Sequence, residues 1–334
     1  MPKKLLSIIS PCYNEDGNIE ELYQRVCAVL SRQEQYDFEY VFIDNASTDN
    51  TLTILKAIAQ RDQRVKIIVN TRNFGPVRSP YYGVLQTGGD ATIYLASDLQ
   101  DSPDIIPQFI AAWEEGYKIV LAAKPSSKTN MVMNKVRKFY YHLLDGISDV
   151  SIVKDATGFG LYDRAVLDKI REIGDPYPFF RGLICELGYD IKLINFIQPR
   201  RTRGVTKNNF YSLYDIAMLG IVSHSLVPIR LASFFGLFIG ALSVAVAMVF
   251  LGLKLIWWDA FPFGFTPIIV GMFFMFGVIL FFIGIIGEYI GSIHTYVQNR
   301  PIVVERERIN FSSSGVTAQR SKAGKWDKYP GAEE

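Results

Sequence analysis

Cysteine and histidine are both scarce in this chain, three of each among 334 residues. Cys12, Cys27 and Cys185 lie far apart without metal-ligand spacing, and His142, His224 and His294 form no cluster. Neither a disulfide framework nor a zinc site is expected, and the thiols fit a reducing compartment. An excess of charge is also missing. With 35 basic residues against 33 acidic ones there is no basic field for a nucleic acid. The N-terminus offers no export signal, since the apolar run between Lys4 and Pro11 is too short, so the first domain is expected to stay in the cytoplasm. A phosphate-cradling glycine loop is absent as well. The nearest pattern, Gly158-Phe159-Gly160, has Asp163 where a third glycine would stand, which leaves dinucleotide chemistry unsupported.

What the chain does have is two stretches without Asp, Glu, Lys, Arg or His, from Leu231 to Leu253 and from Ala260 to Gly287. A membrane-spanning helix needs roughly 20 predominantly apolar residues, and both stretches are long enough. Arg200, Arg201, Arg203, Lys207 and Arg230 precede the first, and Arg300, Arg306 and Arg308 follow the second, whereas Lys254 between them is offset by Asp259. By the positive-inside rule both termini face the cytoplasm, with Trp257, Trp258, Phe261 and Phe263 as an aromatic belt at the far boundary. Gly236 and Gly240, and again Gly287 and Gly291, are spaced for close helix contacts within or between subunits, or are the ordinary glycine of membrane helices.

Ahead of these stretches, short apolar runs alternate with helical patterns. Leu5–Ser10, Tyr40–Asp44, Val65–Val69, Ala91–Leu95 and Ile119–Ala122 read as strands. Ile19–Leu30, Thr51–Ile58, Pro80–Gln86 and Ile105–Trp113 carry apolar residues at helical spacing. That alternation predicts an α/β domain with a mostly parallel sheet and helices on both faces. Ligands bind such sheets at the carboxyl ends of the strands. The loops there read Pro11-Cys12-Tyr13-Asn14-Glu15, Asp44-Asn45-Ala46-Ser47-Thr48-Asp49 and Ser97-Asp98-Leu99-Gln100-Asp101. Asp49, Asp101 and Ser102 could simply cap helices. Asp44 and Asp98 stand directly beyond buried-looking strands, where a carboxylate needs a partner such as a ribose hydroxyl or a divalent cation.

These loops resemble the donor site of family 2 glycosyltransferases with a GT-A fold, in the branch that includes dolichol-phosphate mannose synthase and bactoprenol glucosyltransferase. The resemblance also takes in Arg72-Asn73-Phe74-Gly75, Gly89-Asp90, Asp98 to Pro103, Arg181-Gly182-Leu183 and Arg201 to Lys207, and runs to about Phe311. It implies a cytoplasmic GT-A catalytic domain over 1–208, an amphipathic juxtamembrane helix over 209–229, two transmembrane helices over 230–292, and a cytoplasmic tail over 293–334. It further implies an integral protein of the cytoplasmic membrane. Pro11, Tyr13, Glu15, Asp44 and Ser47 would hold the base and ribose of a nucleotide sugar, and Asp98 and Gln100 would meet Mg2+ or Mn2+ on its diphosphate. Arg201 and Lys207 would neutralise phosphate, or else attract anionic lipid as juxtamembrane charges.

Two departures from the family pattern stand out. Ala96 replaces the first aspartate of the usual Asp-x-Asp, and Thr157-Gly158-Phe159-Gly160 replaces a Gly-Asp-Phe-Arg segment, leaving Asp155 as the nearby carboxylate. The resemblance implies inverting transfer of a sugar to a polyprenyl phosphate, with UDP-glucose and undecaprenyl phosphate as reactants, or GDP-mannose and a dolichyl-type lipid. Such a nucleophile needs no strong base, because the second pKa of a phosphate monoester lies near 6. A membrane-anchored sensor of nucleotide sugars, or an accessory subunit of a lipid flippase, is the reading of another class. The Gln-x-x-Arg-Trp motif of processive polysaccharide synthases is not found.

Overall fold

A computed structural model describes residues 2–124, 156–176, 178–196, 225–256, 265–298 and 300–311, together with 153, 218 and 222. Eight strands form one sheet: β1 (Lys4–Cys12), β2 (Tyr36–Asp44), β3 (Val65–Asn70), β4 (Ala91–Tyr94), β5 (Ile119–Ala123), β6 (Ala156–Asp163), β7 (Ile191–Asn195) and β8 (Glu305–Ile309). Their order is β7-β5-β6-β4-β1-β2-β3-β8. β1 pairs in parallel with β2 and β4, and β2 with β3, whereas β6 runs against its neighbours β4 and β5 and β8 runs against β3. The strands form because alternate side chains on each have a core to enter on either face. Ile8, Tyr40, Phe42 and Ile67 face one core, and Ile9, Val41, Ile43 and Ile68 face the other.

Helices α1 (Ile19–Leu30), α2 (Thr51–Arg61) and α4 (Ile106–Glu114) cover the first face through Leu22, Leu55, Ile58 and Phe109. The opposite face is covered by α3 (Gly75–Leu85), α5 (Arg164–Ile173) and α6 (Phe180–Glu186), through Tyr81, Val84, Leu167, Ile170 and Leu183. Asp163 ends β6 and starts α5, its Oδ1 accepting the Ala165 N–H at 2.9 Å as an N-cap and its Oδ2 accepting from Trp113 Nε1 at 2.7 Å. Gly174, at φ 64°, ends that helix in the left-handed conformation that glycine adopts without strain.

Two long helices follow, α7 (Val227–Ile256) and α8 (Phe265–Gln298). Among the described residues, Gly271–Gln298 is long and apolar enough to cross a membrane, with mean hydropathy 2.2, and the apolar part of α7 is Val227–Ser243. Only 6% of the most apolar window of α8 is buried, so this is not the core helix of a globular domain. Leu237 is 76% exposed and Phe273 74%. A Cβ placed on Gly236, Gly240, Gly287 or Gly291 would meet nothing within 4 Å among the described residues, so the expected close contacts are not made between those residues. Most of the expected juxtamembrane helix, and the expected aromatic belt, lie outside the described residues.

The expected tail beginning at residue 293 is corrected by β8. After α8, the chain returns to the sheet and pairs with β3 from Ile67↔Ile309 to Asn70↔Glu305. Thr71 N–H donates to the Val304 carbonyl at 3.0 Å, and Asn310 Nδ2 donates to the carbonyls of Ala59 and Val65, both at 2.8 Å. The 1–208 boundary therefore leaves out one strand of the domain.

Candidate active site

At the carboxyl end of the parallel strands the three polar loops meet, and hydrogen bonds tie them together. Asn45 N–H donates to the Cys12 carbonyl at 2.9 Å, and Ser97 Oγ donates to the Pro11 carbonyl at 2.7 Å, so the loops after β2 and β4 are both anchored to the end of β1. Asn14 N–H donates to Ser47 Oγ at 2.9 Å and Thr48 N–H to Asn14 Oδ1 at 2.8 Å. Glu15 N–H reaches Thr51 Oγ1 at 2.8 Å. Each loop contains one non-glycine residue with left-handed backbone: Asn14 at φ 55°, Ala46 at 61° and Leu99 at 59°. Alanine and leucine gain nothing locally from that conformation, which costs roughly 1–3 kcal/mol per residue and persists where surrounding structure imposes it. Three such residues on one sheet edge mark it as the place where loop shape matters most.

Asp44 is wholly buried, and both its carboxylate oxygens accept the Ser47 N–H, at 3.3 and 3.2 Å. Burial raises its proton affinity above the ordinary carboxylate value, opposed by the bonds from Ser47 and by the charge of Arg306. The Cys12 thiol beside it is pushed up by burial first and then by Asp44, Glu15 and Asp49, three carboxylates acting at one point. That edge is thus acidic and lacks a nucleophilic thiol. Linkage gives a sign. Asp44 binds its proton more tightly folded than unfolded, so the stability it confers is full below the unfolded pKa and is lost as pH rises through the folded one. At neutral pH the ionised group opposes folding, so Asp44→Asn is expected to raise the melting temperature while abolishing ligand capture at this edge, measurable by thermal unfolding and calorimetric titration.

The second half of the edge is formed by the loop after β4. Asp98 is partly exposed, and its Oδ1 accepts the Gln100 N–H at 3.2 Å across the left-handed Leu99. Asp101 is buried, at 6% exposure. The Tyr94 hydroxyl is pushed up by burial, then by Asp101 and Asp98, and is drawn down by Arg181 on α6, so these groups share one neighbourhood. Arg181 also lines a small cavity with Gly158, Ala156 and Cys185. Its motif was legible in the sequence, but its place near Tyr94, which also feels Asp98 and Asp101, was not.

The loops that carry Pro11, Tyr13, Glu15, Asp44, Ser47, Asp98 and Gln100 thus share one edge of the sheet. Asp155, Arg201 and Lys207 lie outside the described residues. The model of the family described as "Glycosyl transferase family 2" matches residues 7–171 of this chain. "Uncharacterized glycosyltransferase YkcC" from Bacillus subtilis is 33% identical over 92% of this chain and 95% of its own length. "SfII prophage-derived bactoprenol glucosyl transferase" from Shigella flexneri is 31% identical over 89% of this chain and 96% of its own. The chain belongs to glycosyl transferase family 2.

Alignment with the Bacillus subtilis relative takes in 308 of the 334 residues of this glycosyltransferase, so it extends beyond the matched family domain into the segment of the two long helices. The S. aureus TarS 1-349 crystal structure in complex with UDP-GlcNAc aligns with a TM-score of 0.42 at 16% identity, over 66% of this chain and 67% of that one. The GT-A assignment of the glycosyltransferase follows from its family and from its own mostly parallel sheet, with its loops gathered at one edge.

Proposed function

We propose that this glycosyltransferase moves a sugar from a nucleotide-sugar donor to the phosphate of a polyprenyl lipid at the cytoplasmic membrane surface, with UDP-glucose and undecaprenyl phosphate as the reactants. The observation that carries the proposal is topological. β3 precedes the two apolar helices, β8 follows them, and the two strands are paired. Whatever lies before and after those helices must share one compartment, so they enter a bilayer as a hairpin or not at all. A catalytic edge is thereby tethered beside the lipid, as a lipid acceptor requires. Between α7 and α8 an apolar groove of about 770 Å³, lined by Leu231, Phe235, Ile239, Phe274 and Phe281 among others, offers a path for a prenyl tail. The bactoprenol glucosyl transferase from Shigella flexneri, matched over almost its full length, supports the same acceptor class.

In this reading Pro11, Tyr13, Glu15, Asp44 and Ser47 hold the base and ribose. Asp98 and Gln100 offer the hard oxygens that Mg2+ or Mn2+ prefers. Among the described residues no group of three His, Cys, Asp or Glu side chains is placed to hold a metal ion. Such an ion supplies charge neutralisation to the leaving group. Arg201 and Lys207 hold the phosphates, and Asp155 is the carboxylate left to orient the acceptor or approach the metal. A lipid phosphate oxygen attacks the anomeric carbon from the face opposite the diphosphate, the bond from that carbon to the diphosphate oxygen breaks, and the nucleoside diphosphate departs with the electron pair. The sugar is inverted. Alignment and stabilisation of leaving-group charge are the chain's main tasks, because the nucleophile is already ionised near neutral pH.

The test incubates purified full-length protein with Mg2+ or Mn2+, polyprenyl phosphate and a panel of labelled nucleotide sugars. Glucose-labelled lipid from UDP-glucose is the expected product. Mannose-labelled lipid from GDP-mannose would overturn the donor assignment, and donor binding without labelled lipid would overturn the acceptor.

A further inference from the structure

β8 reads Glu305-Arg306-Glu307-Arg308-Ile309, and three of its four charges have partners. Glu305 accepts from the Tyr82 hydroxyl at 2.7 Å and pairs with Arg308 at 2.5 Å, while Glu307 pairs with Lys56 of α2 at 2.8 Å. Arg306 is exposed and makes no hydrogen bond or ion pair with any described residue. Its position is unusual. Asp44 on β2 lies opposite Val69 on β3, and Val69 lies opposite Glu307. The register then slips between Val69 and Asn70, so that Asn70 faces Glu305 and Arg306 is left as the extra residue of a β-bulge. Bulges re-aim a side chain and are frequent beside active sites.

Faces and distances agree with that placement. Glu305 and Arg308 reach α3 through Tyr82 and Gln86, whereas Glu307 reaches α2. Asp44 falls, by strand alternation from Tyr40 and Phe42, on the α2 face as well. Two strand spacings put Asp44 and β8 about 10 Å apart, a gap that an extended arginine largely spans. The charge of Arg306 reaches Asp44 and favours its ionised form.

We propose that Arg306 is a positioning residue of the donor site, standing at the rim of the pocket for the nucleoside diphosphate and keeping Asp44 available as an acceptor for a ribose hydroxyl. The inference rests on the donor-site reading given above. It also makes a strand that follows the membrane helices part of donor capture. The charges that act on Asp44 are Arg306 on β8 and Asp49 in its own loop; its titratable neighbour on β1 is Cys12, which also feels Glu15 and Asp49, while Glu307, across β3 from Asp44, is paired with Lys56. Among these, Arg306 is the cation without an anionic partner among the described residues.

Calorimetric titration of the full-length protein in detergent with UDP and with GDP, each with Mg2+, tests this between about pH 5 and pH 8. Arg306→Gln is expected to weaken the bound nucleotide about tenfold at the acidic end and less at the alkaline end, moving the acidic limb of affinity upward, because Asp44 then takes its proton sooner. Arg306→Lys should keep affinity within about threefold, since it preserves the charge. Thermal unfolding accompanies each variant. Nucleotide affinity of Arg306→Gln that tracks the wild type at every pH would overturn the proposal. So would equal losses in both variants together with a lowered melting temperature, which would make Arg306 a residue of strand stability. If the wild-type protein binds neither nucleotide, the donor-site reading falls and takes this one with it. Wild-type binding beside an unaffected Arg306→Gln sinks this inference alone.

Discussion

Asp98→Asn is expected to lower turnover by about 10²–10³-fold while leaving the melting temperature unchanged, the loss found when one group that stabilises developing charge is removed. The side chain is partly exposed and its Oδ1 accepts the Gln100 N–H, a bond that an asparagine Oδ1 can still accept, so the fold has no reason to change. What changes is charge. With Ala96 in place of the family's first aspartate, Asp98 is the sole aspartate of that motif. Asp155→Asn, by contrast, should cost less than about tenfold, because a phosphate monoester needs little help from a base. Steady-state kinetics on both variants with saturating metal decides the matter. Equal losses would move the main catalytic charge away from the loop after β4.

The second large effect concerns the other departure from the family pattern. Gly160 cannot carry a side chain, because a Cβ there would collide with the Val120 carbonyl oxygen and stand 2.8 Å from Leu121 Cδ2. Gly160 pairs with Leu121 on β5, beside the point where the register between the two strands shifts, between Leu121 and Ala123. Gly160→Ala is expected to cost about 3 kcal/mol or more through forced separation of the two strands, and restoring the family's arginine should leave no folded protein. Gly158 differs. A Cβ there would meet the Tyr94 ring at 3.6 Å, an ordinary contact, so Gly158→Asp should fold. Melting curves and the yield of monodisperse protein distinguish the two positions, and a Gly160→Ala protein melting within about 2 °C of the wild type would refute the packing argument.

How much of this was legible in the sequence depends on whether the governing interaction was local. The first five strands were, because each is an apolar run with a core on both faces, and α1, α2 and α4 carried their own periodicity. The start of α3 was misplaced. The apolar spacing begins at Pro80, yet the helix begins at Gly75 with Pro76 in its first turn, and Pro80 sits inside it. β6 was missed since its two glycines read as a broken glycine motif, when one of them answers to a neighbouring carbonyl on β5. β8, with one apolar residue in five, has no local strand signal and is a strand because β3 has an open edge. For the same reason Arg306 passed for a juxtamembrane charge. The carboxylates and amides of the site were legible, as strand-end positions in an alternating pattern.

The pairing of β3 with β8 also sets an order of events during synthesis. Thr71 and its partner Val304 are 233 positions apart, with both long helices between them. At roughly 5–20 residues per second, a ribosome takes some 10–50 s to travel that distance. Throughout this time β3 is an unpaired border, the kind of surface on which nascent chains stick to one another. Closure of the enzyme's sheet must therefore await synthesis of both long helices and of β8 after them, so that a chain interrupted before Glu305 leaves an incomplete and adhesive domain.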